Sequence, residues 1–162
     1  MRKHLAWITS PTAGRIIQFK VNIGANVFDA FHEVIIENNL HYGIVIGSCG
    51  ALKRATFRNV KETPQSYPIE KSNLASFECE GPMESTSLIG WFHHTEEQEM
   101  IHLHCSAARD EDGVPTIYGG HLVDAIAGPR MVITVQELTD DNLLIGFDEQ
   151  CKNTDLISKN KI

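Results

Sequence analysis

The sequence predicts an α+β domain, a mostly antiparallel sheet of about seven or eight strands with one main helix packed on it. Three observations lead to this class. One segment, residues 25–40, repeats apolar residues at helical spacing, whereas the other apolar segments alternate with polar residues or are short and β-branched. Turn residues separate several of these segments closely enough for hairpins. The 162 residues suffice for one domain of ordinary size.

The first part of the chain is predicted to contain three strands and the helix. Residues 14–22 are rich in β-branched and aromatic side chains, which favours a strand. The apolar residues of 25–40 form a single stripe, and two asparagines near its end favour a helix stop. Residues 42–52 are almost wholly apolar and contain two glycines near their end, which predicts a buried strand and a tight turn. Residues 54–60 form the strand that follows.

The second part is predicted to contain strands alone. Residues 61–71 hold two prolines and many polar residues, which is typical of a loop. Further strands are predicted at 73–81, 83–92, 100–108, 114–123 and 130–138, with 143–149 as an additional candidate. The single domain is expected to span residues 14–148, and residues 149–162 are expected to form a polar, disordered tail.

Charge argues against a nucleic-acid-binding surface that covers the molecule. The formal net charge is −7, and phosphate contacts need clustered lysines and arginines. A local basic patch stays open as an alternative, although solvated surface charge explains its candidates equally well. These candidates are Arg2, Lys3, Lys53, Arg54 and Arg58.

The cysteine pattern and the hydropathy predict a cytoplasmic protein without a membrane partner. The four cysteines are widely spaced and form no C-x-x-C pair, which favours reduced thiols over a disulfide framework. The apolar run Leu5–Ile8 is too short for a secretory signal. No segment approaches the roughly 20 apolar residues that span a bilayer.

Three histidines form a candidate metal site. On a strand, His102 and His104 share one face at a spacing of about 7 Å. If the next turn is centred between Glu111 and Asp112, His121 lies opposite His102 on that same face. A register shifted by two residues places His121 opposite Met100 or His104 and keeps the face, whereas a shift by one reverses it. Neutral imidazole binds zinc, nickel and iron, and three ligands plus an open position are typical of catalytic metal sites.

Other interpretations of these residues remain open. An H-x-H pair on a sheet is often only a polar surface pair, and the metal-binding cupins, which also carry H-x-H, usually follow it with a glutamate that is missing here. Cys49, within the small residues GSCG, is a candidate nucleophile, although close backbone packing explains those residues as well. Glu84, a weak candidate catalytic residue, and Asp124 are the carboxylates near strand ends that could act as a base on metal-bound water.

The order of several segments resembles the PPC domain, the plants and prokaryotes conserved family. This family occurs alone in bacteria and archaea, and beside AT-hooks in the AT-hook nuclear-localised proteins of plants. The H-L-H motif, the D-x-D-G turn and the G-G-H-L motif, in that order, carry most of the resemblance. The matching segments are 24–58, 80–92, 101–113 and 119–138.

The resemblance implies a homotrimer with a divalent metal, zinc as the expected ion, at His102, His104 and His121. Its members are often described as DNA-binding by analogy with the plant proteins. Here no AT-hook core R-G-R-P is present, so the arginines that would enter the minor groove are missing. Metal binding in a trimer, without an assigned reaction, is therefore the leading hypothesis. A DNA-binding or transcription-regulatory role is one alternative, and a metal-dependent hydrolase or lyase for a small molecule is the other.

Overall fold

Antiparallel strands form most of the structure, a computed structural model that describes residues 6–159. In this part of the chain, one α-helix and one 3-10 turn (Lys71–Asn73) interrupt a series of nine strands. The other elements are β1 (Thr12–Lys20), α1 (Val27–Glu37), β2 (Tyr42–Cys49), β3 (Ala51–Val60), β4 (Leu74–His94), β5 (Glu99–Glu111), β6 (Val114–Ala127), β7 (Val132–Thr139), β8 (Leu143–Asp148) and β9 (Asn153–Ser158).

Strands β3 to β6 close into a barrel. β4 pairs with β3, β3 with β6, and β6 with β5, and an additional pairing of β5 with β4 completes the ring. All four pairings are antiparallel. Side chains that alternate to one side of these strands are buried, among them Phe57, Leu88, Leu103 and Leu122. The apolar core therefore lies within a closed ring of strands.

The predicted fold class is therefore wrong. Instead of an open sheet with a helix packed on it, the protein consists mostly of strands around a closed four-stranded barrel. The one α-helix of residues 6–159, α1, has only 11 residues. Alternation of apolar and polar residues identifies a strand and its buried face. It does not identify the neighbouring strand, so an open sheet and a barrel can share one pattern.

β4 closes the barrel because it is long enough to pair with two neighbours in succession. Residues 74–84 pair with β3, and residues 84–94 pair with β5. The sequence predicted two strands separated by Gly81-Pro82, but the structure has one strand of 21 residues that continues through this dipeptide. The β3–β4 register shifts at this point, and a proline inside a strand is compatible with such an irregularity.

The remaining strands extend the sheet beyond the barrel, in the order β2, β7 and β1 from β4. The N-cap residue of α1 is Asn26, whose side chain accepts hydrogen bonds from the first turn. The helix buries Val27, Phe31 and Ile35, and the ring of Phe31 contacts Phe19 of β1 edge-on. Within the described residues, no helix has the length and apolar character needed to cross a bilayer.

β8 and β9 form a separate two-stranded sheet. The side chain of Gln98, next to the start of β5, donates a 3.2 Å hydrogen bond to the carbonyl oxygen of Ile145 in β8. β9 falls within 149–162, the segment expected to be a polar tail, and there it buries Leu156 and Ser158. The first residues of β9 lie beside His102 and His121.

Candidate metal centre

The turn between β5 and β6 sets the register of the hairpin that carries the histidines. The strands pair up to Glu111 and Val114, so only Asp112 and Gly113 remain in the loop. Both have positive φ angles, 55° and 85°. Asp-Gly suits a two-residue hairpin loop because both positions require left-handed backbone. The centre of the turn therefore lies between Asp112 and Gly113, one residue later than predicted.

This turn places His121 opposite His104. The main prediction placed His121 opposite His102. The observed pairing with His104 is one of the two shifted registers that the sequence also allowed. Because the difference is two residues, His121 stays on the same side of the hairpin as the other two histidines. Leu103 and Cys105 alternate with them and are buried. The three imidazoles consequently share the outer surface of the barrel.

The three rings lie close enough to hold one ion. The Nε2 atoms of His102 and His104 are 3.2 Å apart. The ring centre of His121 is 4.8 Å from that of His102 and 5.4 Å from that of His104. One nitrogen from each imidazole can be chosen so that all three lie within 4.8 Å of one another.

This donor set fits a divalent metal. Zinc–nitrogen bonds of about 2.0–2.1 Å in a tetrahedral site separate two ligand nitrogens by about 3.3 Å. The distance between the His102 and His104 nitrogens, 3.2 Å, agrees with that value. Because three imidazoles supply three ligands, a four-coordinate ion would keep one position for water or another molecule. The metal would then act there as a Lewis acid.

The surroundings keep two of the imidazoles neutral at pH 7. Burial lowers the pKa of His121 to about 4, and repulsion by protonated His102, by Arg58 and by protonated His104 adds to this effect. Burial is also the main cause that lowers the pKa of His102, followed by His104, while Asp155 acts in the opposite direction. A neutral imidazole has a free lone pair, which is the form that binds a metal.

Two further side chains contact the cluster, and the sequence did not predict either. Trp91 of β4 pairs with His102, and the two rings stack with their centres 5.4 Å apart. Arg58 of β3 pairs with His121, and its Nη2 donates a 3.0 Å hydrogen bond to Nε2 of that imidazole. Both are cross-strand neighbours, and only the long-range register of the barrel could have revealed them.

A cleft of about 480 Å³ opens beside the cluster. Arg58, His102 and His121 line one side of it. Asn153, Thr154 and Asp155, from β9, line the other. The β8–β9 hairpin thus forms a wall for the site, and the cleft gives a small molecule access to two of the three imidazoles.

The family model for the Plants and Prokaryotes Conserved (PCC) domain matches residues 8–139. The chain belongs to this family. The resemblance predicted from the order of the motifs is therefore confirmed. A comparison with curated proteins found no match.

Solved structures share the PCC fold at low sequence identity. A metal-containing protein from Archaeoglobus fulgidus is 21% identical, with a TM-score of 0.75 over 94% of this chain and 99% of that chain. A plant- and prokaryote-conserved protein from Pyrococcus horikoshii is 21% identical, with a TM-score of 0.70 over 91% and 96%. A candidate DNA-binding protein from Bacteroides thetaiotaomicron is 18% identical, with a TM-score of 0.69 over 93% and 99%.

The carboxylates predicted near the site lie elsewhere in the PCC domain. Glu84 is exposed and pairs with Ala108, farther along β5 from the histidines. Asp124 accepts hydrogen bonds from Arg54 at 2.8 Å and Asn26 at 2.6 Å. Among residues 6–159, the three-histidine group is the cluster with metal-ligand geometry, and it contains no carboxylate. A catalytic role for Glu84 stays a prediction.

The other histidines and thiols of the PCC domain also lie outside the cluster. His93 is buried, and Nδ1 of His94 lies 3.2 Å from a carboxylate oxygen of Glu99. Burial raises the pKa of the inward-facing Cys105 to about 11, which keeps this thiol protonated and unsuited to metal binding. Cys49 is an exposed free thiol.

Proposed function

We propose that this PCC-domain protein binds one divalent metal ion per subunit, zinc, through His102, His104 and His121, and that it forms a homotrimer. The observation that carries the proposal is the proximity of the three imidazoles on one face of a closed barrel. The neutral state of His102 and His121 supports it, because neither imidazole has to lose a proton to bind a metal. At His121 the metal would replace Arg58, which donates to Nε2 in this structure.

The choice of zinc rests on the ligand set. Imidazole ligands suit zinc, copper, iron and nickel, and three histidines with an open fourth position are a common zinc arrangement. The similar fold of the Archaeoglobus fulgidus protein, whose name describes it as metal-containing, supports a metal in this family.

Apolar side chains beside the cluster support the proposed trimer. Ile89, which is 58% exposed, pairs with His104, and Val123, which is 44% exposed, follows His121 on the same side of β6. Ile117 lies farther along β6 and is 67% exposed. Exposed apolar patches of this kind are typical of protein–protein contacts. The metal site would then lie near a subunit boundary.

Metal analysis of the purified protein tests the proposal. The wild-type protein should retain about one zinc per chain after dialysis, whereas His102→Ala and His121→Ala should retain almost none, because two imidazoles hold an ion far more weakly than three. His32→Ala is the matched control, since His32 is an exposed histidine on α1 that pairs with Glu99. Light scattering on the same samples should give the mass of three chains. Equal metal content in all four proteins would refute the site, and a monomeric mass would refute the trimer.

A metal-dependent hydrolase or lyase is the second candidate, and the cleft favours it. A closed structural zinc site has four protein ligands and needs no adjacent space. Here about 480 Å³ of open space borders two of the proposed ligands, which is enough for a small substrate.

DNA binding by family analogy has weaker support. The net charge is −7. In addition, Arg15, Arg54 and Arg109 each form an ion pair with a carboxylate of the same chain. Phosphate contacts through these arginines would have to compete with those ion pairs, so DNA binding stays a prediction from the family name.

A further inference from the structure

Arg58 differs from the other paired arginines of the described chain. Arg15, Arg54 and Arg109 each contact a carboxylate, whereas within residues 6–159 the hydrogen-bond partner of the Arg58 side chain is the neutral imidazole of His121. The guanidinium is exposed and lines the cleft beside the histidines. An arginine held against a metal-ligand cluster without an anionic partner requires an explanation.

The charge balance of the site changes when an ion is bound. Without a metal, the guanidinium donates to an uncharged nitrogen, which is favourable. A divalent cation bound by the three imidazoles would take the lone pair to which Arg58 donates. Arg58 would then remain as a like charge at close range, and the two positive groups would repel each other. An anion that contacts both groups removes this repulsion. Arginine is suited to such a role, because its guanidinium stays charged and forms short, charge-assisted hydrogen bonds to carboxylate oxygens.

The walls of the cleft indicate which anion fits. Ile69, Met100 and Ile101 give it an apolar side, and Asn153 and Thr154 give it neutral polar groups. Inorganic phosphate has no carbon skeleton to contact the apolar wall, whereas a small organic acid does. The volume of about 480 Å³ exceeds that of a bare carboxylate group.

We propose that the cleft binds the carboxylate of a small organic acid between Arg58 and the metal held by His102, His104 and His121. This inference rests on the proposed metal site and adds the class of its ligand. Arg58 donates to one carboxylate oxygen, and the other faces the open position of the ion. The apolar wall contacts the carbon chain.

Asp155 is the acidic group that competes with such a ligand. It lines the same cleft, and its charge acts on His102. Its Oδ1 accepts a 2.7 Å hydrogen bond from the backbone N–H of Leu156, which holds part of the carboxylate against its own strand. If the inference is correct, Asp155 repels the organic acid. If instead Asp155 completes the metal site, its removal weakens metal binding.

Cobalt substitution separates the two levels of the proposal. The visible absorption of protein-bound Co²⁺ changes when a new ligand enters its coordination sphere. We expect pyruvate and acetate to alter the spectrum of the wild-type protein at lower concentration than inorganic phosphate does. Arg58→Gln should bind Co²⁺ at least as tightly as the wild type, because a like charge is removed, yet bind pyruvate about tenfold more weakly or worse. Lys53→Gln, which removes an exposed cation of the same strand, should behave like the wild type.

Each outcome has a distinct meaning. Absence of Co²⁺ bands in the wild-type protein refutes the metal site and the inference together. Bands that no carboxylate alters, unchanged pyruvate affinity in Arg58→Gln, or tighter binding of phosphate than of pyruvate refute the inference alone. Asp155→Asn should increase the pyruvate affinity of the Co²⁺-loaded protein, and an unchanged or lower pyruvate affinity in this variant would also refute the inference.

Discussion

Acidification should destabilise the metal-free protein through His121. In the folded protein, burial and the nearby positive charges lower the pKa of this imidazole from 6.5 to about 4. As the pH falls below 6.5, the unfolded chain gains a proton that the folded chain takes up only near pH 4. Between pH 6.5 and pH 4, protonation of this histidine therefore favours the unfolded state more and more as the pH falls. Above pH 6.5 the histidine is neutral in both states and this destabilisation disappears.

The size of the effect follows from the difference in pKa. One pH unit corresponds to about 1.4 kcal/mol, so the shift from 6.5 to about 4 sets an upper limit of about 3 kcal/mol. His121 is partly exposed to solvent, which screens the interaction. We therefore expect a loss of about 1–2 kcal/mol in the free energy of unfolding that is attributable to this residue.

Urea denaturation in the presence of a chelator measures this loss. The free energies of unfolding of the wild type and His121→Gln would be compared at about pH 7 and about pH 4.5. The variant cannot gain a proton at this position, so its decrease in stability should be smaller than that of the wild type by about 1–2 kcal/mol. Titrating groups remote from the cluster affect both proteins alike. Loss of the repulsion between His121 and His102 acts in the same direction as the expected difference. Equal decreases in the two proteins would refute the reasoning.

Two further substitutions test the structural basis of the site. Leu103→Ala should lower the free energy of unfolding by about 2–5 kcal/mol, because Leu103 lies between two of the proposed metal ligands in the strand and is fully buried. A loss below about 1 kcal/mol in urea denaturation would contradict this prediction. Gly120→Ala should lower it by about 1–3 kcal/mol and weaken metal binding in a zinc titration, because Gly120 has a φ of 145° and an added methyl group would overlap Asn59 next to His121. Gly24→Ala is the control, since Gly24 also has a positive φ, 84°, with open space around it and lies outside the histidine hairpin, and metal binding there should not change.

The local parts of the site could be predicted from the sequence. Alternation in residues 100–108 identifies the strand and places His102 and His104 opposite the buried Leu103. The two-residue periodicity of strands also kept His121 on the correct face despite the error in register. That error came from the turn. The dipeptide Asp112-Gly113 is a strong signal for a two-residue loop. A hairpin centred on this dipeptide pairs His104 with His121, as observed.

The long-range parts could not be predicted from the same patterns. Closure of the barrel depends on β4, which pairs first with β3 and then with β5. The glycine and proline at 81 and 82 indicated a break between two strands, but the structure continues the strand through them. Arg58 and Trp91 reach the histidines only because β3 and β4 flank the hairpin in this closed arrangement. The sequence around Arg58 and Trp91 does not specify that a histidine strand lies next to each of them.

Barrel closure also bears on how the proposed ion would enter and leave the site. β5 is hydrogen-bonded to β4 on one side and β6 on the other, and β6 is hydrogen-bonded to β5 and β3. Backbone amides in such doubly flanked strands exchange with solvent deuterium mainly through near-global opening. The apo protein therefore keeps its ligands preorganised. If zinc binds as proposed, it could leave and return without refolding of the chain, and its occupancy would follow the zinc concentration of the surroundings.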